Sequence, residues 1–585
     1  MKESLDFAIS GAEIEIADKS VQMALDAGAS AVMVSLDKAK TEIYALLDGE
    51  IDNIRQTGDR SLTFNIYADG KYGTFSTNRF EEESLRDFLC KAVETVRMLV
   101  ADPFRGLPDK KDLATDAVNG DEMGLCWYGY DSVSRDEKLE MARRVSVFGE
   151  FSAPSSDRNW RVVSEEVEYN NTLSDTYLTS SDGCRCRQTE TSFEVSSQVT
   201  VEDNEGNKYT GLWWDYDVSP EKVLSSECGR KAVEMAVMQI APVNADKGKY
   251  TMVVSRLVSG RLLQPVLNAL SSLSVYQKSS FLVDALGKQV FSKGLNVMDM
   301  PLEKGKSGAI LFETDGRACR NREIITDGVV KENFTSIYMS RKLGIPPTSS
   351  CPNRPVLQPF VSEELLGGGR GGVSGAGLDG SGLCGDCGEV SGDVFGAVSG
   401  GERGTGLGVV NGGGRGIELG AVNGGERVVE LSAASGDGHG AELGEMSGSG
   451  LCGDCGEVSG AVFGAVSGGE RGVELGAVNG ADRGLKADPF VNEIAQKDIL
   501  DLCGSGILVT DFNGGNCNSA TGDFSYGVSG FLFENGKITS PIDSMLITGN
   551  MTDLWSNLLA AGSDPVPGMS RQVPTLAFRD VTFNA

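Results

Sequence analysis

Histidine is nearly absent: the 585 residues contain one, His439. A Ser-His or Cys-His nucleophile pair needs a histidine in the folded core, and a histidine-ligated zinc site usually needs two or three. His439 lies in glycine-rich sequence, so neither arrangement is available from it. Basic residues are also in deficit. There are 53 Lys and Arg against 83 Asp and Glu, a net charge of −30. That balance argues against a non-specific nucleic-acid surface and against binding to anionic membranes, and no Lys/Arg cluster offsets it. No run approaches the roughly 18 apolar residues of a membrane span. Met1-Lys-Glu-Ser-Leu-Asp-Phe-Ala-Ile-Ser10 has no signal-peptide core. Thirteen cysteines, an odd number, read as reduced thiols in a cytoplasmic protein.

What is present suffices for sizeable cores: 40% of residues are apolar and 7% aromatic. The length suggests two to four domains. Glu13 to Ala29 reads as a helix, with Ile14, Ala17, Val21, Ala24 and Leu25 at helical spacing and Gly28 as a stop. Val32–Leu36, Glu42–Leu47, Leu62–Tyr67 and Tyr72–Phe75 read as antiparallel strands, with turns at Asp48-Gly49 and Ala68-Asp-Gly70. Glu82 to Val100 is a second helix. These make a first α/β unit over residues 1–107. A second unit over 108–218 has a helix at Ser134–Val147. Its strands are expected at Arg161–Val163, Glu166–Tyr169, Thr176–Thr179, Thr191–Val195 and Gln198–Val201. In the third domain, 219–585, Ser219-Pro220 opens a helix expected to run to about Ile240, Lys249–Ser255 is a buried strand, and Val258–Ser271 is a helix. The fold class is α+β, two N-terminal α/β units and a larger β-rich C-terminal domain.

An insert interrupts the third domain. About 41 of the 76 glycines fall between 366 and 485. Leu383-Cys-Gly-Asp-Cys-Gly-Glu-Val-Ser-Gly392 recurs as Leu451–Gly460, and Glu418–Gly424 recurs as Glu474–Gly480. So much glycine carries a backbone-entropy cost that few bulky side chains offset. The segment is expected to be disordered, with an irregular β-solenoid as the alternative. The pairs Cys384/Cys387 and Cys452/Cys455 offer a four-thiolate zinc site on paper. The second pair is a copy of the first 68 residues later, so duplication accounts for the match and the thiols read as incidental. Gly367–Gly372 fits GxGxxG but lacks the strand–helix context of a nucleotide loop.

The most informative stretch is Gly515-Asn-Cys-Asn-Ser-Ala-Thr-Gly-Asp-Phe-Ser-Tyr-Gly-Val-Ser-Gly-Phe-Leu-Phe-Glu-Asn-Gly536, followed by Ile547-Thr-Gly-Asn-Met-Thr-Asp553. It reads as a turn-rich approach, a strand through Val528, Phe531 and Phe533, and a hairpin turn at Glu534-Asn-Gly536. A returning strand starts at Ile538, and Thr552 or Asn550 caps a helix running through Leu554, Leu558 and Leu559. A second block is Glu313–Arg317, Asp327–Asn333 and Tyr338–Gly344. Together the two blocks resemble the signature of the TldD/PmbA (TldE) family, and the resemblance spans the chain apart from the insert. It implies a PmbA/TldD-like fold and a link to proteolysis. The family's name as a modulator of DNA gyrase finds no support in this acidic sequence.

The catalytic member of that family, TldD, carries an HExxxH helix: two zinc-ligating histidines, a glutamate that activates the zinc-bound water, and a third ligand cysteine near the C-terminus. Here the matching helix reads Gly260-Arg-Leu-Leu-Gln-Pro-Val-Leu-Asn-Ala-Leu270. Gln264 and Ala269 fall at the histidine positions and Pro265 at the glutamate. Gly568–Gln572 occupies the place of the ligand cysteine, and the last cysteine is Cys517. The pattern resembles the TldE (PmbA) branch, so no catalytic residue is carried over and no cofactor is expected in this chain. The resemblance implies a TldD-like metallopeptidase partner that would hold zinc, in a heterodimer acting on small unfolded peptides, with a homodimer as the alternative. Asn518, Ser519, Thr521, Asp523, Ser525 and Tyr526 either line a peptide cleft, where small side chains allow close backbone approach, or are structural turn sequence. Cys184-Arg-Cys186 reads as an exposed hairpin tip, or as a reactive pair favoured by Arg185 and Arg187. Trp213, Trp214 and Tyr216 read as core, or as a peptide-facing or subunit-facing surface. Two other functions stay open: a stand-alone peptide-binding or regulatory module, and a peptidase with an unrecognised nucleophile.

Overall fold

The computed structural model describes residues 5–115, 117–368, 421–422, 445–446 and 494–584. Apart from 421–422 and 445–446, the glycine-rich repeats lie outside the described residues, with Cys384, Cys387, Cys452, Cys455 and His439.

Helix α1 (Gly11–Asp26) starts from a capping box in which the Ser10 hydroxyl accepts from the Glu13 amide and the Glu13 carboxylate accepts from the Ser10 amide. Strands β1 (Ala31–Leu47), β2 (Glu50–Ala68) and β3 (Lys71–Thr77) form a meander. Its turns take positive φ at Asp48-Gly49 and Asp69-Gly70, the residues read as turns. Helix α2 (Glu82–Met98) packs beside α1 over Val34, Phe64, Ile66 and Phe75. Helix α3 (Arg135–Val145) has a second capping box, from Ser134 and Glu137.

Strands read as separate pieces are continuous. Val32–Leu36 and Glu42–Leu47 are one strand, β1, and the five pieces of the second unit are the two long strands β4 (Trp160–Ser180) and β5 (Arg185–Asp203). The polar run Asp37–Thr41 stays extended because β1 is paired on both sides, with β2 and with β4 from Met33↔Ser180 to Leu47↔Glu166. With β6 (Lys208–Asp217) this gives one six-stranded sheet, β3-β2-β1-β4-β5-β6, shared by both N-terminal units. Its core-facing side chains, among them Val167, Tyr169, Phe193 and Val195, pack under α3 and its neighbours. The helix expected from Ser219 to Ile240 is broken into Glu221–Leu224 and α4 (Cys228–Val237), with Pro220 rather than Ser219 at the cap. Gly211 of β6 lies so close under α4 that a Cβ there would sit 2.1 Å from the Ala232 carbonyl oxygen.

The C-terminal domain is built on β7 (Gly248–Val254), β8 (Ser505–Cys517), β9 (Asp523–Glu534), β10 (Lys537–Asn550), β11 (Leu558–Ala561) and β12 (Leu576–Asn584). β7 pairs in parallel with β8 and antiparallel with β12. β8, β9 and β10 are successive antiparallel neighbours, and β10 pairs with β12, so the ladder closes on itself. β11 and the short strand Phe360–Val361 extend from β12. Asn550 caps the helix Met551–Ser556, but that helix stops at Ser556: Leu558 and Leu559 belong to β11. A short apolar run does not distinguish a buried strand from a helical turn.

Candidate functional site

The expected helix is α5 (Gly260–Ala269). Leu262, Leu263, Val266, Leu267 and Ala269 face the largest core, leaving Arg261 and Asn268 exposed and Gln264 and Pro265 half-buried. The Ser259 hydroxyl donates to the Val573 carbonyl at 3.1 Å, and Trp555 Nε1 donates to the Leu262 carbonyl at 3.2 Å. Strand β12's approach and the Met551–Ser556 helix therefore fix α5 at both its start and its flank. Pro265 lies within the helix and supplies no amide donor there.

The three positions of the degenerate motif offer no ligand set. Gln264 Nε2 donates to Asn268 Oδ1 at 2.5 Å, Pro265 has no donor atom, and Ala269 is buried. A zinc ion requires thiolate, imidazole or carboxylate donors, so these residues do not fit one. Among the described residues no three His, Cys, Asp or Glu side chains converge. In Gly568–Gln572, the Gln572 side-chain amide donates to the Val566 and Met569 carbonyls. Gly568 packs on Tyr216, and Ser570 packs against Gly308.

The sequence reading missed Arg261 and Asp511. Arg261 Nη1 donates to the Phe512 carbonyl at 2.9 Å, and its guanidinium lies 5.7 Å from the ring centres of both Phe512 and Tyr526. Tyr526 is buried, stacked on Phe524 and edge-on to Phe512. Burial pushes its hydroxyl up to about 12, helped by Cys517 and opposed by Arg261. Burial also raises the Asp511 carboxyl, against the Phe512 amide and Arg261. Cys517 is pushed up to about 11 by burial and by Asp523, which disfavours a thiolate there. Arg261 thus ties the outer face of α5 to β8 and β9.

The six cleft candidates divide. Tyr526 is a core residue. Asn518, Thr521 and Asp523 build the β8–β9 hairpin tip. Asn518 Oδ1 accepts from the Ala520 and Thr521 amides, the Thr521 hydroxyl donates to Asp523 at 2.7 Å, and Asn550 Nδ2 donates to Asp523 at 3.0 Å. The Asn550 and Thr521 hydrogen bonds hold the Asp523 carboxyl below its usual range. Ser519 is exposed, with its carbonyl accepting from the Phe281 amide at 2.9 Å, and Ser525 is half-buried within β9. The structure therefore leaves Ser519 exposed and Ser525 half-buried and uses the other four locally.

Glu313 and Arg317 of the second signature block belong to a buried polar region that also holds Asp299, Arg322 and Asn353. Arg322 Nη2 donates to Asp299 at 2.6 Å, and the other Asp299 oxygen accepts from the Asn353 and Arg354 amides. Glu313 accepts from the Ser349 hydroxyl at 2.9 Å, and Arg317 Nη1 donates to the Thr348 carbonyl at 2.6 Å. Trp213 and Trp214 are partly buried against the C-terminal core, at the junction with the central sheet.

Two family profiles match this chain. The PmbA/TldA metallopeptidase C-terminal domain matches residues 247–361 and 487–585, and the central domain matches 128–240. The metalloprotease PmbA of Escherichia coli O157:H7 is 22% identical over 522 residues, covering 88% of this chain and 84% of that protein. A solved Bacteroides thetaiotaomicron structure, named for modulation of DNA gyrase, superposes with TM-score 0.71 at 25% identity, covering 99% of this chain and 100% of the other. TldE from Thermococcus kodakarensis shares the fold, with TM-score 0.62 at 12% identity over 97% of this chain and 100% of its own.

Proposed function

The chain belongs to the PmbA/TldD metallopeptidase family, and from that membership we propose that it is a non-catalytic, TldE/PmbA-like subunit. In this reading it pairs with a TldD-like zinc peptidase and completes a cleft for small unfolded peptides. The observation that carries the reading is the content of α5, where Gln264, Pro265 and Ala269 stand in place of two imidazoles and a carboxylate. A family metallopeptidase needs a zinc-bound water and a base to activate it, and neither can be assembled from an amide, a pyrrolidine and a methyl group. This chain's contribution is then to bind and orient peptide. In this reading Arg261 and Asn268, the exposed polar groups of α5, and Ser519, exposed at the β8–β9 turn, are the candidates for contact with a peptide backbone.

The test is co-expression with the HExxxH-bearing homologue of the same genome, with zinc content and peptidase activity read on each chromatographic fraction. Co-elution, with zinc and activity found only when the partner is present, is the expected result. Stoichiometric zinc in this chain alone, or peptide cleavage by it that survives a chelator, would overturn the proposal.

A further inference from the structure

The sequence reading of Cys184-Arg-Cys186 as an exposed tip, or as thiols activated by Arg185 and Arg187, does not hold. Both thiols are buried, at 2% and 1% exposure. Arg185 turns outward to Asp18 at 3.0 Å, and Arg187 pairs with Asp175 at 2.6 Å. The two sulfurs lie 3.5 Å apart on one side of the chain. Their surroundings are specific. Cys186 Sγ donates to the Ala114 carbonyl at 3.3 Å, and Cys184 Sγ lies 3.9 Å from the Gly316 carbonyl oxygen. The Ala114 amide in turn donates to that same Gly316 carbonyl at 2.9 Å. The thiol pair is therefore seated on the backbone hydrogen bond that joins the Leu107–Ala117 linker to the C-terminal domain. A Cβ at Gly316 would sit 2.6 Å from Cys184 Sγ, so this position tolerates only glycine at such closeness.

We propose that Cys184 and Cys186 are an oxidation site that closes to an intrachain disulfide and loosens this joint. Two sulfurs already in contact, two residues apart in sequence, need only a local shift to bond. Access comes from the turn above them, where Gly183 is exposed with φ +94°. When the tip opens, one of the two thiolates attacks a low-molecular-weight disulfide such as oxidised glutathione and releases one small thiol. The other attacks the resulting mixed disulfide and releases the second. Two electrons and two protons leave the protein pair, and the small disulfide is reduced to two thiols. The mutual hydrogen bond with Cys186, and then burial, raise the Cys184 thiol well above the ordinary range in the closed state, so opening sets the rate. Once the bond forms, neither sulfur can donate to Ala114 or Gly316.

The full chain is incubated with oxidised glutathione and then mapped by peptide mass, with Cys90, which is exposed, as the internal standard for accessible thiols. The expected product is a 184–186 peptide two hydrogens lighter. In parallel, hydrogen exchange at the Ala114 amide is expected to rise roughly fivefold to tenfold, as for loss of about one hydrogen bond. In Cys184→Ala, Cys186 is expected to accumulate as the glutathione adduct instead. If that variant does not fold, Cys186→Ala gives the mirror test on Cys184. Recovery of both cysteines as free thiols when Cys90 is fully modified would overturn the site. A 184–186 bond with unchanged Ala114 exchange would overturn its effect on the joint.

Discussion

Two glutamates illustrate how position, not residue type, sets the sign of a pH effect. Glu13 is buried, which raises its pKa. The Ser10 amide and hydroxyl, with Lys38 and Arg60 at 3.1 and 3.2 Å, outweigh burial and hold it down to about 2. Its folded pKa is depressed, so its contribution is fully present above the unfolded value near 4.5 and fades as pH falls toward 2. Glu13→Gln is expected to cost on the order of 2 kcal/mol at pH 7. In urea melts across pH, the gap from the parent should close near pH 2. Glu194 is the opposite case. Burial, and then the charge of Glu168, push it up to about 7. The folded state keeps a proton that the unfolded state has lost, so stability falls as pH rises from about 4.5 to 7. Glu194→Gln should match the parent at pH 4 and exceed it above pH 7, and an unchanged difference between the two pH values would refute this assignment. Asp299 is a third kind, an acid whose value is its partner. Asp299→Ala leaves buried Arg322 with Glu332, at 3.8 Å, in place of its closest counter-charge and is expected to cost about 3 kcal/mol in denaturant unfolding.

At the scale of elements, what could be read from the chain was what is local. The Asp-Gly turns, the Asn550 cap and the outline of α5 depend on neighbours a few residues away, as do the capping boxes at Ser10 and Ser134, which the sequence reading did not name. The errors came from distant pairing. The polar stretch Asp37–Thr41 breaks an apolar alternation but not the strand, because Thr41 meets Thr172 at 3.1 Å and Lys38 and Lys40 reach Glu13 and Glu42. Leu558 and Leu559 continue a helical spacing, yet β12 takes them as a strand. The site follows the same rule. The helix that carries Gln264, Pro265 and Ala269 was legible because its apolar spacing is local. Arg261 and Asp511 were not, since the Arg261 contact to Phe512 spans 251 residues. Asn550 joins the two kinds. Its Oδ1 caps the Met551–Ser556 helix, and its Nδ2 holds Thr521 and Asp523. Asn550→Ala should therefore cost more than an ordinary cap, about 2 kcal/mol rather than about 1. Faster amide exchange at both Gly522 and Thr552 would separate this dual role from capping alone.

At the scale of the whole molecule, the two N-terminal units share one sheet and the C-terminal domain is built on a closed ladder, both formed by described residues. Before the repeats the last described elements are Phe360–Val361, which pairs with β11, and the helix Glu363–Gly368. After them comes Gln496–Cys503, a helix that touches Glu363–Gly368. Exit and re-entry are fixed independently. Arg579 pairs with Glu364, and the Ser563 amide donates to the Ile494 carbonyl at 2.7 Å. Because the two ends already meet, a short connection can bridge them, and loop length changes the closure term only logarithmically. Replacing Gly367–Gly484 by a short Gly-Ser linker is therefore expected to leave the melting temperature unchanged or raise it by up to about 5 °C, since about four halvings of loop length are worth about 2.4 kcal/mol and a domain this large shifts by about 2 °C per kcal/mol. A fall of more than about 10 °C, measured calorimetrically at equal protein concentration, would mean that the removed residues supply core contacts to the C-terminal domain. If the shortened chain keeps its melting temperature but no longer co-elutes with the HExxxH-bearing homologue, the repeats serve pairing and not folding.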